Sequence, residues 1–417
     1  NHWRVHEHQS ISLRLWLQDN DMEVPNPTTV NRVSQAAQRD VFYRTQASWQ
    51  LRKTDFHARY QASFIHHDLR YQDDATQLNS SSIFQTWVND FEAEKKFKHG
   101  LSATAGINYT WESGRVFEYG ADQPERNRTA VVGAIKYQPT GNWLTIASAR
   151  QEAIQGKFIP FVPSLSVEFH PTLHWNIYGN ASRNFRVPTF NDLFWKGGGS
   201  VGNPNLKSET SWGQEVGVRY MKEKTNSLWR MRGSAFSNLV DNWILWSPGS
   251  RGWSPDNIKQ VWARGFESDI KVNRKIGLFT TEATAFYSYT LSTNRSVYAG
   301  SLTGELNKQL IFTPRHEASV TALMRRKTTS LFLAHNYTGK QFTDGDNSAF
   351  FALKSYQITN LWITQELTLR ATLLRCQFEV NNIFNVDYQA RPGYPMPGRN
   401  YKLSLFFQFN QLNKHEN

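Results

Sequence analysis

Hydrophobic and polar residues alternate with a period of two along most of the chain. One such segment places Ala103, Ala105, Ile107, Tyr109 and Trp111 at odd positions, with small or polar residues between them. The same alternation occurs at residues 11–17, 283–291, 331–337 and 401–409. A helix would repeat every three to four residues, so the pattern predicts β-strands. The strands are long, roughly 10–15 residues, whereas strands of soluble domains have about 5–6 and about 9–11 tilted residues cross a bilayer.

Short and long connections alternate between these segments. Short connections with turn residues lie at 53–55, 98–100, 139–142, 170–172, 224–226, 274–277, 326–328 and 365–366. Longer polar or Gly/Pro-bearing stretches lie near 19–37, 72–83, 113–127, 153–157, 185–210, 242–259, 292–308, 340–349 and 386–398. Outer-membrane barrels have this layout of tight turns at one end and long loops at the other. We therefore predict an all-β fold, a transmembrane antiparallel β-barrel of about 18 strands over residues 1–409, with a short tail at 410–417.

The composition agrees with a barrel and argues against several other classes. The chain has 417 residues with 27 Phe, 16 Tyr and 15 Trp, and this ring surface suits aromatic girdles at membrane interfaces. No apolar run reaches the roughly 18 residues of a membrane helix. The single Cys376 excludes a disulfide scaffold. The net charge is +12, but the basic residues are spread along the chain, so we expect no nucleic-acid partner. A propeller, the soluble alternative, should repeat every 40–50 residues or so, and no such repeat is visible.

Two sequence boxes go beyond architecture. The first contains Phe185, Arg186 and Pro188, followed by Asn203-Pro204-Asn205-Leu206 and Glu209. The second contains Asn382, Phe384, Gly398 and Arg399, followed by an alternating strand that ends at Phe409. Together these boxes resemble the barrel domain of TonB-dependent outer-membrane receptors, from about residue 130 to residue 409.

This resemblance implies a location and a function. Members lie in the outer membrane of Gram-negative bacteria, in contact with lipid and lipopolysaccharide, and import a scarce bulky nutrient such as cobalamin or a ferric siderophore. Heme receptors of the family carry a histidine between the segments that correspond here to Phe185–Pro188 and Asn203–Leu206. Residues 189–202 contain none, which disfavours heme. The family barrel has 22 strands around a plug. We therefore expect this barrel to be partial at its N-terminal side and the plug to be absent from this chain. Coupling to the TonB–ExbB–ExbD complex would pass through that missing N-terminal part.

The sequence alone does not decide between the receptor and two other functions, or whether a further partner binds. A passive 18-stranded porin and an outer-membrane barrel enzyme are the two alternatives, and a surface lipoprotein is a further partner to consider. We expect no catalytic residues, no metal site and no cofactor. The run Asp344-Gly345-Asp346-Asn347 has carboxylates but lacks the spacing and the distal Glu of a calcium loop, so we interpret it as an ordinary loop.

The box residues are expected to shape the barrel rather than to contact ligand. Arg186 and Glu209 are predicted to pair in the lumen and hold the long loop between them. Gly398 is predicted to let the chain turn sharply into the last strand. The candidates for stacking on a planar ligand are Trp195, Trp246 and Trp253, with anchoring at the membrane interface as their alternative role.

Overall fold

The computed structural model describes residues 2–26, 28, 33–75, 77–249, 252–296, 303–369 and 372–409. The predicted tail at 410–417 lies outside the described residues. The strands are β1 (His2–His6), β2 (Gln9–Val24), β3 (Ala36–Arg52), β4 (Phe56–Asp73), β5 (Leu78–Lys96), β6 (Leu101–Val116), β7 (Glu125–Thr140), β8 (Trp143–Ile154), β9 (Lys157–Phe158), β10 (Val162–Phe169), β11 (Trp175–Arg186), β12 (Lys196–Gly197), β13 (Ser200–Val201), β14 (Glu209–Lys224), β15 (Ser227–Gly249), β16 (Gly252–Ile276), β17 (Phe279–Asn294), β18 (His316–Arg326), β19 (Thr329–Thr338), β20 (Tyr356–Leu369), β21 (Thr372–Asn381), β22 (Gln389–Arg391), β23 (Tyr394–Pro395) and β24 (Asn400–Phe409). Helical structure comprises α1 (Phe190–Phe194) and the 3-10 turns Phe117–Tyr119 and Thr303–Glu305.

Eighteen of these strands form one continuous antiparallel wall, as the sequence predicted. They are β2 to β8, β10, β11, β14 to β21 and β24, and each pairs with the next in chain order. The short strands β9, β12 and β13 join the same sheet from the loops, and β22 and β23 form a separate hairpin. The five-residue strand β1 pairs with β2 and forms that edge of the sheet. Within the described ranges, no pairing joins β24 to β1 or β2, so the sheet is open between these two edges.

The period of two places apolar residues on one side of the wall, which we call the apolar face. Leu15 and Leu17 of β2 lie on this face, with Leu17 67% exposed, and Leu403 of β24 lies on it at the other edge. Cys376 is in phase with Phe378 on the same face. The opposite side, the polar face, carries ion pairs such as Arg232–Asp269. An exposed apolar face of this extent is what a wall in contact with lipid requires.

The connections fall at two ends of the wall. At one, the turn end, connections of two residues join β14 to β15 at 225–226, β16 to β17 at 277–278 and β18 to β19 at 327–328. At the other, the loop end, lie the longest connections, at 25–35, 187–208, 295–315, 339–355 and 382–399. The run Asp344–Asn347 lies in one of these loops, as predicted.

Two predicted connections are wrong. Residues 365–366 are not a turn but lie inside β20, where Gln365 opposes Cys376 across the ladder. The predicted loop at 242–259 is instead a hairpin, because β15 and β16 stay paired out to Gly249 and Gly252. A hairpin that rises above the wall has no lipid to face, so its strands need no apolar alternation and the sequence pattern does not reveal them.

Buried hydrophobic packing is concentrated under the loop at 187–208. Val116, Tyr119 and Phe190 form a buried cluster, against which Phe84 and Phe194 pack. In the part of the chain that the structure describes, no helix is both long and apolar enough to cross a membrane.

Candidate functional site

An ion pair closes the base of the long loop at 187–208. Arg186, the last residue of β11, lies directly opposite Glu209, the first residue of β14. Arg186 Nε donates to Glu209 Oε2 at 2.9 Å, and Nη2 donates to Oε1. The backbone N–H of Ile244 donates to the same Oε1 at 2.8 Å. Glu209 is buried at 6% exposure and the Arg186 side chain is 48% exposed. The predicted pair is therefore present, and its two-pronged geometry holds both ends of the loop together.

A second carboxylate, on Asp192, ties the loop to the neighbouring hairpin. Thr189 and Asp192 form a capping box at the start of α1, with N–H to side-chain distances of 2.9 and 3.1 Å. The other carboxylate oxygen of Asp192 accepts a hydrogen bond from Trp246 Nε1 at 2.9 Å. Arg186 lies 3.9 Å from Asp192 Oδ2. The loop base, the helix and β15 are thus joined through one buried acid.

The Asn203-Pro204-Asn205-Leu206 box holds the returning half of the loop. The Asn203 backbone N–H donates to the Asp192 carbonyl at 2.7 Å, and its side-chain amide donates to the Pro255 carbonyl at 3.2 Å. Asn203 Oδ1 accepts the N–H of Asn205 at 3.0 Å. Pro204 and Asn205 are exposed, and Leu206 is half-buried. Asn203 therefore fastens the loop to both α1 and β16.

Aromatic packing supports the front of the loop. Arg126 Nη1 donates to the Pro188 carbonyl at 2.8 Å, and its guanidinium lies 4.8 Å from the Phe190 ring centroid. Tyr119 is fully buried and donates its hydroxyl hydrogen to Asn191 Oδ1. Burial raises the pKa of the Tyr119 phenol. Pro188 is buried in this arrangement and has a packing role.

The other residues of the first box are split between the two faces and the loop. Phe185 lies opposite Thr210 on the apolar face, whereas Arg186 lies on the polar face, because neighbours along a strand point to opposite sides. Trp195 donates Nε1 to the Gly197 carbonyl at 2.9 Å and packs against the Val116–Tyr119–Phe190 cluster.

A cavity of about 450 Å³ opens at the loop end, beside the anchored loop. It is lined by Trp243, Leu245, Trp246, Trp253, Asn294, Glu305, Lys308, Gln309, Leu310, Ile311, Thr313, Thr343, Asp344 and Gly345. Two of the three tryptophans proposed from sequence, Trp246 and Trp253, therefore line one space, and Trp195 does not. Aromatic surface with a few charges of both signs is typical of small-molecule sites, and this volume lies within their usual range.

The second box shapes the connection before the last strand. Asn382 is 3% exposed and has a φ of 49°. Its Oδ1 accepts a hydrogen bond from the backbone N–H of Val386, and its Nδ2 donates to the Val386 carbonyl, both at 2.9 Å. Arg399 N–H donates to Asn385 Oδ1 at 2.8 Å, and a Cβ on Gly398 would lie 2.8 Å from that oxygen. Gly398 thus allows a close approach to the Asn385 side chain and does not adopt the left-handed conformation.

Two residues of the second box lie at its margins. Phe384 is exposed, and Phe409 ends β24 opposite Thr372.

Several residues of this site were not singled out from the sequence. The Thr189-x-x-Asp192 spacing is a capping-box signal and was readable in advance. Trp243 and Tyr119 carried no such signal, because their partners come from distant loops. Among the residues described, no group of three or more His, Cys, Asp or Glu side chains is placed to hold a metal ion.

Comparison with known families agrees with the wall and covers the first box. The family model described as "TonB dependent receptor-like, beta-barrel" matches residues 9–383. This chain belongs to the TonB-dependent receptor family. The resemblance drawn from the two boxes is thereby confirmed at the level of the receptor family.

Relatives of this TonB-dependent receptor barrel include vitamin B12 transporters and an iron-regulated outer membrane protein. It is 23% identical over 345 residues to the vitamin B12 transporter BtuB of Photobacterium profundum, an alignment that covers 80% of this chain and 51% of that protein. It is 28% identical over 261 residues to the iron-regulated outer membrane virulence protein of Vibrio cholerae, covering 56% and 37%. The chain thus spans about half the length of the vitamin B12 transporter. These relatives favour the receptor interpretation over the porin and enzyme alternatives.

Solved structures of this family share the fold. The ferric citrate transporter FecA without ligand superposes with a TM-score of 0.74 at 15% identity, covering 96% of this chain and 68% of FecA. Fiu, the ferric-catecholate import receptor of E. coli K12, gives 0.74 at 13% identity, covering 95% and 72%. At these identities the likeness concerns the fold alone.

Proposed function

We propose that this receptor barrel belongs to an outer-membrane importer of a scarce bulky nutrient, with cobalamin as the first candidate and a ferric siderophore as the second. The apolar face meets lipid, the polar face lines the lumen, and the loop end faces the cell exterior. Import is coupled to the TonB–ExbB–ExbD complex. In this proposal the cargo binds at the loop end and undergoes no covalent change.

The tryptophan-lined cavity at the loop end carries the proposal. Three separate segments contribute to it, namely the β15–β16 hairpin, the 295–315 loop and the 339–355 loop. A site built from several outer loops can close around a cargo and open again when those loops move. Trp253 is 50% exposed, so its ring is available for stacking.

Relatives favour cobalamin over the siderophore. The vitamin B12 transporters of Photobacterium profundum and of Vibrio vulnificus strain YJ016 align with 80% of this chain. That of Vibrio vulnificus strain CMCP6 aligns with 59%, and the iron-regulated protein aligns with 56%. A corrin ring is planar and amphipathic, which suits tryptophan faces accompanied by charges of both signs.

The test is equilibrium binding to cells that produce the full-length receptor. Labelled cyanocobalamin is titrated, and ferric enterobactin is the competing cargo. In Trp253→Ala, loss of one stacking ring should cost about 1 kcal/mol and weaken binding about fivefold. Trp229→Ala is the matched control, because Trp229 lies on the apolar face at the turn end.

The possible results distinguish an error in the proposed cargo from an error in the proposed function. Binding of ferric enterobactin without binding of cyanocobalamin would replace the first cargo with the second. Steady ion conductance without either cargo would favour the porin instead. Equal weakening by Trp229→Ala and Trp253→Ala would place the binding site elsewhere.

A further inference from the structure

The loop at 187–208 is attached along its length to the β15–β16 hairpin. In the middle of the loop, the Gly199 carbonyl accepts a hydrogen bond from the backbone N–H of Trp253 at 2.9 Å. At its end, the Lys207 N–H donates to Asn257 Oδ1 at 2.9 Å, and the Asn257 amide donates back to the Lys207 carbonyl at 3.1 Å. In the described chain, the loop contributes no residue to the lining of the tryptophan-lined cavity. The loop is therefore bound to the hairpin that carries the cavity's tryptophans without lining the cavity itself.

A side chain of this loop holds a side chain that lines the cavity. Trp246 Nε1 donates to Asp192 Oδ1 at 2.9 Å, and Trp246 is one of the lining residues. Asp192 is 6% exposed, and its other carboxylate oxygen accepts the Thr189 N–H at 2.9 Å. Because this second bond fixes the carboxylate within the capping box of α1, the direction of Oδ1 is fixed as well. A charged acceptor forms a stronger hydrogen bond than a neutral one, so the indole N–H has a strong and well-placed partner.

This bond sets the orientation of the Trp246 ring. The torsion that turns an indole ring about its bond to Cβ has broad preferences, so packing and hydrogen bonds select the ring plane. Trp246 is half-buried, so packing constrains only part of the ring. An indole has a single N–H donor. Without the carboxylate the ring is free to turn, and a cargo that stacks on it must first order it.

The opposite side of the cavity is fixed by other contacts. Gln309, which is 1% exposed, lines that side from the 295–315 loop. Its backbone N–H donates to Asn347 Oδ1 at 2.7 Å, and the Asn347 amide donates to the Gln309 carbonyl at 2.8 Å. These bonds join the 295–315 loop to the 339–355 loop, so this side keeps its shape independently of the loop at 187–208.

We propose that Asp192 is a positioning residue for cargo binding, which acts through Trp246. It holds the indole ring in the plane on which a planar part of the cargo stacks. The loop at 187–208 thereby sets the affinity of a cavity that it does not line. The inference rests on the proposed function, because it requires a cargo that binds in this cavity.

The test is a double-mutant cycle in cargo binding to cells that produce the full-length receptor. The probe is cyanocobalamin, or ferric enterobactin where the wild type binds only that cargo. D192A removes the acceptor and should weaken binding about fivefold, because binding must then order one freely turning side chain. W246F keeps a ring but has no donor, so D192A should weaken binding less than about twofold in the W246F background.

A matched control separates orientation of the ring from loosening of the loop. N257A removes both bonds to Lys207 and leaves the bond between Asp192 and Trp246 in place, so its binding should stay within about twofold of the wild type. Trypsin cleavage at Lys196 and Lys207 measures how far each variant opens the loop. D192N keeps an acceptor for the indole N–H at almost the same side-chain volume, so it should bind more tightly than D192A.

Each result bears on one of the two proposals. Weakening by D192A that disappears in the W246F background supports the positioning role. Equal weakening by D192A in both backgrounds, or weakening by N257A as strong as that by D192A, would overturn it. A wild type that binds neither cyanocobalamin nor ferric enterobactin would instead refute the proposed function, and this inference with it.

Discussion

Removing Arg186 should open the loop at 187–208. Arg186→Met keeps the length and apolar stem of the side chain but removes both donors to Glu209. Glu209 would stay buried with its backbone bond from Ile244, so its charge would lose its counter-charge. The loop base would then separate more often from the wall, together with α1 and the Asn203 contacts that depend on it.

The magnitude follows from the geometry of the pair. Hydrogen bonds to charged groups contribute about 1.5–3 kcal/mol each. Water can replace part of the lost interaction because the Arg186 side chain is 48% exposed, so two bonds are discounted to about 2 kcal/mol in total. This value corresponds to an increase of about 30-fold in the open population of the loop.

Limited trypsin cleavage measures that population. The loop contains Lys196 and Lys207, and cleavage there tracks the open fraction when opening is fast. Arg183→Met is the control, because Arg183 lies three residues earlier on the apolar face and makes one long contact, 3.5 Å to the Phe161 carbonyl. It should change the rate less than about threefold. Equal cleavage rates in Arg186→Met and Arg183→Met would refute the role of the ion pair.

Three further predictions concern packing and protonation. In Gly202→Ala the new Cβ would lie 2.8 Å from backbone atoms at the end of α1, so loop cleavage should rise, whereas Gly141→Ala, in open space, should leave it unchanged. Asn382→Ala should lower the urea midpoint of refolded receptor by the equivalent of about 2–3 kcal/mol, since a buried residue loses bonds to the backbone. The neighbouring Asn381→Ala, which loses one exposed bond, should have a smaller effect, and equal midpoints would contradict the prediction. Burial raises the pKa of Tyr119. The neutral phenol therefore stabilises the folded state fully below the unfolded-state pKa of about 10, and this stabilisation decreases as the pH rises above that value. At about pH 11 the wild type and Tyr119→Phe should therefore show the same phenolate absorbance, and a missing phenolate in the variant would contradict the buried placement.

The wall itself was predictable because lipid-facing strands repeat every two residues. The alternation at residues 11–17 and 401–409 identified the apolar face, and turn residues identified most of the short connections. The predicted connections were wrong where the period-two alternation no longer marks the strands. The hairpin above the wall around Asn242 and the continuation of β20 past Glu366 carry no distinct signal, because strand pairing there depends on the neighbouring strand.

The residues of the candidate site likewise divide into those that the sequence predicts and those that it does not. Arg186 and Glu209 were predictable as a pair because they bracket one loop and carry opposite charges. The sequence by itself thus determined the strand period, the family and the residues that flank the long loop. The tertiary structure decided that Trp246 binds Asp192, that Trp253 lines a cavity and that Tyr119 donates to Asn191. These contacts join segments far apart in the chain, and long-range proximity is set by sheet register and loop packing, which no local pattern encodes.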